Sequence, residues 1–572
     1  MLMIIKNKYF KNVLLLCSFI VLSLIFIYPL AKTNAVYFSD DMFFHLQRIK
    51  EIAENAKSGN YFVGIYTHTF GKTGYPLNLF YPWVTILPFS LFSLLCSNQA
   101  LAVYLGVAFY TFLTLNFTYL TVKKYSQNGV QAYITACLYA FSSYRVIDAF
   151  TRFALGEYIA LTFLPLCIYG LYAIAKGNYR DWPYLAFGFS FVLLSHLLSV
   201  VLISILLVVL LAVLIPHMNN IKQRITAFLK AIIVSILSSA VFVFPFIEQE
   251  LFQKYPQPDV TDLTVGALLP TKFISASLNN NLSRVDSGNT YNIGIVILLV
   301  IVLGLVTWRK LKRDYRVMYL MGLMFTMLST SLVPWSLLQN TPLSIIQFPW
   351  RFLGIATLLF SVVGGASVYQ FLQIDKLNSA TLAVSLIGVT ILILLPFISS
   401  MNQLKGTMLT TEQLVTYNKN GRFVFSGIDR AGRIGLFHFE NYTPLKGQRA
   451  VEDLYNHKAY VDGKAKRVNV ETSENYLTIK SNHFVNGKDI VLPVMNYKNL
   501  EITDSNGGKV KFGTDNYDRL RVKSAGRITT FKISYHPSLI DYLAVIISCL
   551  TWLTAIVIWT YRRISGWGRF SK

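Results

Sequence analysis

Runs of about twenty consecutive apolar residues recur along this chain, and they constrain its fold more than any other feature. A helix of ~20 residues, rising 1.5 Å per residue, is long enough to cross the ~30 Å hydrocarbon layer of a bilayer. Such runs cover 11–31, 101–122, 131–149, 158–176, 182–197, 198–216, 225–247, 291–309, 316–336, 352–373, 379–398 and 539–561. A further apolar run, 79–97, contains Pro82 and Pro88. Of the 572 residues, 54% are hydrophobic and only 14% are charged, which excludes an ordinary soluble domain and names the lipid bilayer as a partner. The net charge of +24 does not point to nucleic acid, because Lys and Arg gather in short connectors between the runs. Cys17, Cys96, Cys137, Cys167 and Cys549 all fall in apolar segments, so no external disulfide framework and no cysteine metal spacing is present.

Charge sets the expected orientation. Lys6, Lys8 and Lys11 place the N-terminus on the cytoplasmic side, and Arg562, Arg563, Arg569 and Lys572 do the same for the C-terminus. Two ends on one side require an even number of crossings. With 79–97 re-entrant, the chain crosses twelve times, and Lys123, Lys124, Lys176, Arg180, Lys222, Arg224 and the 309–313 cluster stay inside. The other solution lets 79–97 cross and fuses 182–216 into one helix, which moves Lys123, Lys124, Lys176 and Arg180 outside. The charge rule favours the first, and the two prolines favour a broken, partly inserted segment.

The expected fold is therefore a polytopic α-helical membrane protein of the plasma membrane, with about twelve spans and a re-entrant segment. Residues 1–399 form the transmembrane domain, with 32–97 as a large first outer loop. Residues 400–538 change character: alternation appears in 466–471 and 476–480, and Asn506-Gly507-Gly508 marks a turn. They read as an extracytoplasmic β-sandwich-like domain of short strands, followed by a final span and basic tail at 539–572.

The candidate site begins at Ser39-Asp40-Asp41, just after the first apolar run. Charges beside hydrocarbon are costly and mark functional sites by default. Asp40 is suited to cap the following helix. Met42, Leu46, Ile49, Ala53 and Ala56 form an apolar stripe, while Asp41, His45 and Arg48 share a neighbouring face at i, i+4 and i+7. The expectation is an amphipathic helix on the outer membrane surface, directing an acid, an imidazole and a guanidinium to one place. The topology puts Arg145, Asp148, Arg152, Glu157, His196, Gln347 and Arg351 on the same face. For any single Arg, interfacial snorkelling is the commoner role. Three outside, against the positive-inside bias, argue for guanidinium forks that grip phosphate. Glu157 also suits a helix N-terminus, and His196 suits a packing role. Tyr75, in Gly74-Tyr75-Pro76, belongs to an aromatic stretch fit for an interfacial belt or a wall for a lipid tail or sugar ring; His68 fits either. Outer loop 248–290 adds Asp259, Asp262 and Asp286. No Gly-x-x-x-x-Gly-Lys-Ser/Thr, Gly-x-Ser-x-Gly or His-Glu-x-x-His motif occurs.

Taken together, these pieces resemble the GT-C superfamily of membrane glycosyltransferases, and more closely bacterial membrane proteins of the YfhO type. The resemblance is carried by Asp40-Asp41-x-x-Phe44-His45-Leu46-x-Arg48, Gly74-Tyr75-Pro76 with Tyr81-Pro82, and Tyr144-Arg145-x-x-Asp148. Arg152-x-Ala154-Leu155-Gly156-Glu157, Ser195-His196, 347–351 and 492–497 extend it over nearly the whole chain. It implies transfer of a sugar from a polyprenyl-phosphate carrier to an envelope glycan or teichoic-acid-type acceptor on the outer face. It also implies inversion, with an essential first-loop Asp as general base, here Asp40 or Asp41 with Asp40 preferred as nearest the end of the first span, and cations stabilising the departing phosphate. Some branches use a divalent metal, magnesium or manganese; Asp40, Asp41 and Glu157 are the candidates to hold one, and nothing in the sequence requires it. Two other classes stay open: a lipid-linked saccharide transporter or flippase, and a non-enzymatic envelope assembly factor. A transporter places its polar residues near the bilayer midplane, whereas these sit at outer ends.

Overall fold

The computed structural model describes residues 8–37, 39–256, 261–283, 290–407, 440–473, 475–485, 489–523 and 528–567. Lys6, Asp259, Asp286, Arg569 and Lys572 lie outside the described residues. The protein is mostly helical. Seven helices are long and apolar enough to cross a membrane: Tyr9–Ala31, Gln99–Ser126, Leu155–Ala175, Leu197–His217, Pro349–Phe371, Ser379–Gly406 and Leu539–Tyr561. An eighth is the pair Ile221–Ser238 and Ala240–Phe252, bent by 73°. Length and composition of this kind make it a membrane protein.

Four of the twelve expected spans fold as shorter helices: Gly129–Ala140, Pro183–Leu193, Gly294–Val306 and Arg313–Leu328, of 12, 11, 13 and 16 residues. Gly129–Ala140 ends at Ser142, whose hydroxyl donates to the Tyr139 carbonyl (2.8 Å), and the chain runs on into a short helix and a π turn at Ile147–Thr151. The 79–97 run contains no span-length helix either; its apolar helix is Val84–Leu95.

By contacts the chain divides into two compact units, neither continuous in sequence. The first comprises 1–42, 95–229 and 259–416; the second 43–94, 230–258 and 417–572.

The first unit is a helical bundle. Leu155–Ala175 and Pro349–Phe371 are its central helices, 83% and 89% buried, whereas Ser379–Gly406 is only 11% buried. Small residues let the central helices touch. A Cβ added to Gly365 would lie 2.2 Å from Thr135 Oγ1 and 2.7 Å from the Gln131 carbonyl. One added to Gly170 would lie 2.1 Å from the Leu185 backbone nitrogen. Arg224 closes the end of Leu155–Ala175, donating to the carbonyls of Ile174 (2.6 Å) and Gly177 (3.2 Å), which have no partner further along the helix.

The second unit is built on two antiparallel sheets. Strands β1 (Lys458–Val461), β2 (Lys464–Arg467), β3 (Asn469–Thr472), β4 (Tyr476–Lys480), β5 (Ile490–Met495), β6 (Leu500–Asp504), β7 (Phe512–Thr514), β8 (Arg519–Val522) and β9 (Thr530–Tyr535) follow in chain order. Their orders are β2-β1-β5-β8-β7 and β3-β4-β9-β6. Alternate residues face one apolar core, including Leu477, Ile479, Leu492, Ile502, Leu520, Phe531 and Ile533. Ile65, Leu79 and Phe80 enter that core from the other end of the chain. From Lys230 onward the bent helix pair belongs here too. Its break at Ser239 frees carbonyls and amides, and the final helix satisfies them: Trp552 Nε1 donates to the Ser238 carbonyl (3.0 Å), and the Val241 amide donates to Ser548 Oγ (2.8 Å).

Candidate functional site

A buried charged cluster in the first unit is assembled by irregular backbone. The π turn Ile147–Thr151 widens the helix between Asp148 and Arg152, and Phe153 adopts φ +54 before the Leu155–Ala175 helix begins. Local widening of this type recurs at functional sites. Residues 143–157 are all buried, so this non-helical backbone is packed in protein, the condition for irregular backbone at membrane depth. It aligns Asp148, Arg152 and Glu157. Arg152 Nη1 donates to Asp148 Oδ1 and to Glu157 Oε2, the latter at 2.9 Å. Tyr144 donates to Glu157 Oε1 (2.6 Å). Arg351 Nε lies 3.5 Å from Glu157 Oε2. Asp148 Oδ2 is buried with no hydrogen-bond partner among the described residues.

Arg351 is aimed by its own turn. Its Nη1 donates to the Ile346 carbonyl (3.1 Å) and to Gln347 Oε1 (3.0 Å). Gln347 sits at φ +62, ψ −50, a conformation that non-glycine residues adopt only when the surroundings hold them there. An aromatic wall completes the cluster: Trp350 stacks on Tyr291 with ring centroids 3.8 Å apart, and the Arg152 guanidinium lies 4.4 Å from the Trp350 ring centre.

Of the paired first-loop acids, Asp41 is tied to this cluster. Its backbone N–H donates to the Arg152 carbonyl (2.9 Å), and its charge acts on Arg351. Both Asp40 and Asp41 are half-buried, and the helix they precede starts at Met42. His196 stands at the start of the Leu197–Leu214 helix, with Nδ1 2.9 Å from Ser199 Oγ, close enough to act electrostatically on Glu157. Arg145 has another place. Its Nη2 donates to Thr114 Oγ1 (2.8 Å), and its guanidinium lies between the Tyr158 and Tyr139 rings, 4.6 and 5.1 Å away. It is 1% exposed, so its fork is spent on helix packing.

His45, Arg48 and Tyr75 belong to the second unit, and here the expected surface helix needs correction. Met42–Lys57 is buried on its polar stripe as well as its apolar one: His45, Arg48, Glu51 and Asn55 are all 1% exposed or less. Arg48 Nη2 donates to the Pro82 carbonyl (2.5 Å), and its guanidinium lies 4.3 Å from the Tyr81 ring centre. Arg48 Nη1 and His45 Nδ1 are 3.3 Å apart. Tyr75 packs with Phe44, Tyr66 and Phe70, and burial pushes its phenol well above the ordinary range. The aromatic 75–81 stretch is thus core, with Phe80 stacked on Tyr442 at 5.6 Å, and not a belt at the interface.

Glu51, unassigned from sequence, anchors this unit. Its carboxylate accepts from the amides of Thr67 (2.7 Å), His68 (3.0 Å) and Thr69 (2.8 Å) and from the Thr69 hydroxyl (2.9 Å). The same stripe signalled it, since Glu51 follows Arg48 by one helical turn. Tyr144, Tyr291 and Trp350 were also missed as parts of the charged cluster; bulk and apolarity hid them among core aromatics.

Glu157 does not fit a metal. Tyr144, Arg152 and Arg351 surround both its oxygens, and two cations at that carboxylate oppose a third. Among the described residues, no group of three or more His, Cys, Asp and Glu side chains is arranged to hold an ion. A scan against protein-family models finds no match, and neither does a search of curated proteins.

Proposed function

We propose that this chain is a GT-C-type membrane glycosyltransferase, moving a sugar from a polyprenyl-phosphate carrier to a cell-envelope acceptor on the outer face. The supporting observation is the buried grouping of Arg152 and Arg351 about Glu157, with the Asp41 amide bound to the Arg152 carbonyl, in one unit. A transferase of this class needs a carboxylate to take the acceptor hydroxyl proton and fixed cations where phosphate charge develops. In this reading Asp41 is the base in place of Asp40, because its backbone N–H is bound to the Arg152 carbonyl and its charge acts on Arg351. Arg152 and Arg351 face the departing phosphate, with Glu157 and Asp148 holding them in place. Half-buried Tyr291, stacked on Trp350, supplies a flat face for the sugar or the first isoprene unit. Arg145 positions its helix and takes no direct part. The reaction breaks the sugar–phosphate bond, forms the glycosidic bond with inversion, and leaves the proton on Asp41.

The membrane arrangement that goes with this reading has twelve crossings, cytoplasmic termini, a non-crossing 79–97 segment and an extracytoplasmic strand domain. A tag at Gly421, which lies outside the described residues, is then labelled in intact cells by an impermeant reagent. Lys123→Cys is labelled only after permeabilisation.

The decisive experiment replaces acids by amides. Asn caps helices about as well as Asp, so Asp→Asn separates catalysis from folding. Asp41→Asn lowers envelope-glycan modification by at least ~100-fold at normal expression, as loss of a general base requires. Arg351→Ala weakens donor use. If Asp40→Asn and Asp41→Asn both keep full modification, the transferase reading is wrong and a transporter or assembly factor takes its place.

A further inference from the structure

The short helix Pro270–Leu278 of the first unit has three faces, and one of them opens on a cleft that the proposed chemistry does not use. Residues turn by ~100° each along a helix, so Phe273, Ala276 and Ser277 fall on one side, and all three are buried. Ile274 and Leu278, one turn apart, share a second side, and both are exposed. Thr271, Ser275 and Asn279 follow one another at the same spacing on the third, with Lys272 beside them. This third side lines a cleft of about 510 Å³, completed by Asn281 and Gln403. The next residue fixes the helix against its neighbour: Asn280 Nδ2 donates to Ser400 Oγ (2.8 Å), one turn before Gln403 on the Ser379–Thr407 helix.

The segment bound to the start of this helix belongs at a bilayer surface. None of residues 317–350 is charged. The helix Arg313–Leu328 has 16 residues and so rises only ~24 Å, short of the ~30 Å hydrocarbon layer. The connector after it turns its amides inward, as backbone near lipid must. Thr330 donates to the Met327 carbonyl (3.0 Å), Leu337 to Pro334 (3.1 Å), Thr341 to Leu338 (3.1 Å) and Ser344 to Thr341 (3.0 Å). Even the Trp335 indole donates inside the connector, to the Thr330 carbonyl (3.2 Å). Leu332 and Leu337 are left exposed, together with Ser331, Ser336 and Asn340, a mixture that suits the boundary of headgroups and acyl chains. Two bonds tie this connector to the approach to Pro270: the Leu268 amide donates to the Ser329 carbonyl (3.0 Å), and the Ser331 amide donates to the Leu268 carbonyl (2.9 Å).

We infer that the cleft seats the headgroup of an anionic membrane phospholipid, with its phosphate at Lys272 and an acyl chain along Ile274 and Leu278. A polar cleft beside an exposed apolar helix face, at the bilayer boundary, matches a molecule that is polar at one end and apolar along the other. Lys272 is the one ionic side chain among the lining residues, and hydroxyls and amides supply the remaining hydrogen bonds to phosphate and ester oxygens. Choline and ethanolamine lipids are the poorer fit, because no carboxylate lines the cleft to receive their ammonium group. A sugar is poorer too, because no aromatic ring lines it to cover a flat sugar face. The carrier phosphate of the proposed reaction is met elsewhere, since neither Arg152 nor Arg351 lines this cleft. The inference goes beyond the transferase reading and stands on the first unit alone.

The test titrates the full chain, delipidated in detergent, with phosphatidylglycerol or phosphatidylcholine and counts bound lipid by native mass spectrometry. The wild-type chain should hold phosphatidylglycerol at least ~10-fold more tightly than phosphatidylcholine, the scale of one hydrogen bond to a charged group. Lys272→Gln should remove that preference, and so should Ser275→Leu, which fills the cleft. If Ser275→Leu lowers the Tm, Lys272→Gln decides alone, since it alters an exposed side chain. Lys376→Gln changes an exposed lysine of another connector and should leave the preference intact. Ile274→Trp should add fluorescence that phosphatidylglycerol brominated on its acyl chains quenches. A preference unchanged by Lys272→Gln overturns the inference, as does an equal loss in Lys376→Gln, which would mean diffuse attraction. Absence of quenching at position 274 overturns the placement of the chain. Displacement of the lipid by millimolar glycerol 3-phosphate would give the cleft to a soluble phosphate and overturn the lipid assignment.

Discussion

Glu157 in the first unit and Glu51 in the second are both buried carboxylates, held in opposite ways. Glu157 is met by side chains: Tyr144, Arg152 and Arg351, drawn from separate segments. Glu51 is met chiefly by the backbone, through the three successive amides 67–69, with the Thr69 hydroxyl, the Asn55 side-chain amide (3.1 Å) and the His68 imidazole (3.5 Å) around them. Side-chain partners keep donors that can turn to an incoming anion, and they leave the neighbouring Asp148 Oδ2 with nothing to accept from among the described residues. Backbone partners are spent on the fold. A buried charge alone therefore does not mark a reactive site; whether side chains or main-chain amides meet it is what differs between these two.

That contrast can be broken most sharply at the two glutamates. Glu157→Gln keeps the shape but removes the charge that holds two guanidinium groups, so glycan modification should fall ~100-fold or more while the purified protein still folds. Glu51→Ala should do the reverse, costing ~3–5 kcal/mol by leaving amides unpaired, with activity per folded molecule retained. Thermal unfolding in detergent beside an activity measurement reads both; activity lost in proportion to folding at both sites would erase the distinction.

Next comes Phe80→Ala. Phe80 is 1% exposed in the core of the second unit, and truncation should cost ~3–5 kcal/mol and open the strand domain to protease. If the strands resist as before, 77–80 does not belong to that core. Gly365→Ala tests the first unit by the opposite move, adding a methyl where Thr135 Oγ1 would stand 2.2 Å away. The expected cost is ~1–3 kcal/mol, seen as a lowered Tm without loss of strand-domain protection.

The smallest effect is a pH dependence in the second unit. The hydrogen bond from His68 to Glu51 raises the imidazole pKa above its ordinary 6.5, against partial burial, with Glu54 adding to the rise and Lys50 opposing it. A raised folded-state pKa stabilises fully below pH 6.5 and is lost as pH rises through the folded value. Hydrogen exchange at the 67–69 amides should therefore be slower at pH 5.5 than at pH 8 beyond the intrinsic change, and His68→Ala should abolish that difference. An unchanged difference in the variant would assign it elsewhere.

Some of this was legible from residue order. Asp148, Arg152 and Glu157 lie within ten positions, and local spacing brings them together once the backbone widens. The pairing with Arg351 was legible only as an expectation of topology. Helix count was less legible, because hydropathy measures apolar length and does not see where a backbone leaves the helix, as it does at Ser142 and Ser239. The 75–81 aromatics read equally as belt or core, since both are apolar.

Composition and periodicity by themselves determined that this is a membrane protein with a separate strand-rich region, because solvent preference and side-chain alternation are properties of residue order. Tertiary structure alone decided that Phe80 and Ile65 complete a core with strands four hundred residues away, that Glu51 is a strut, and that the Asp41 amide meets the Arg152 carbonyl. The reason is physical: a buried charge or ring has no fixed meaning until its partners are chosen, and those partners come from segments that only the folded chain brings within a few ångströms.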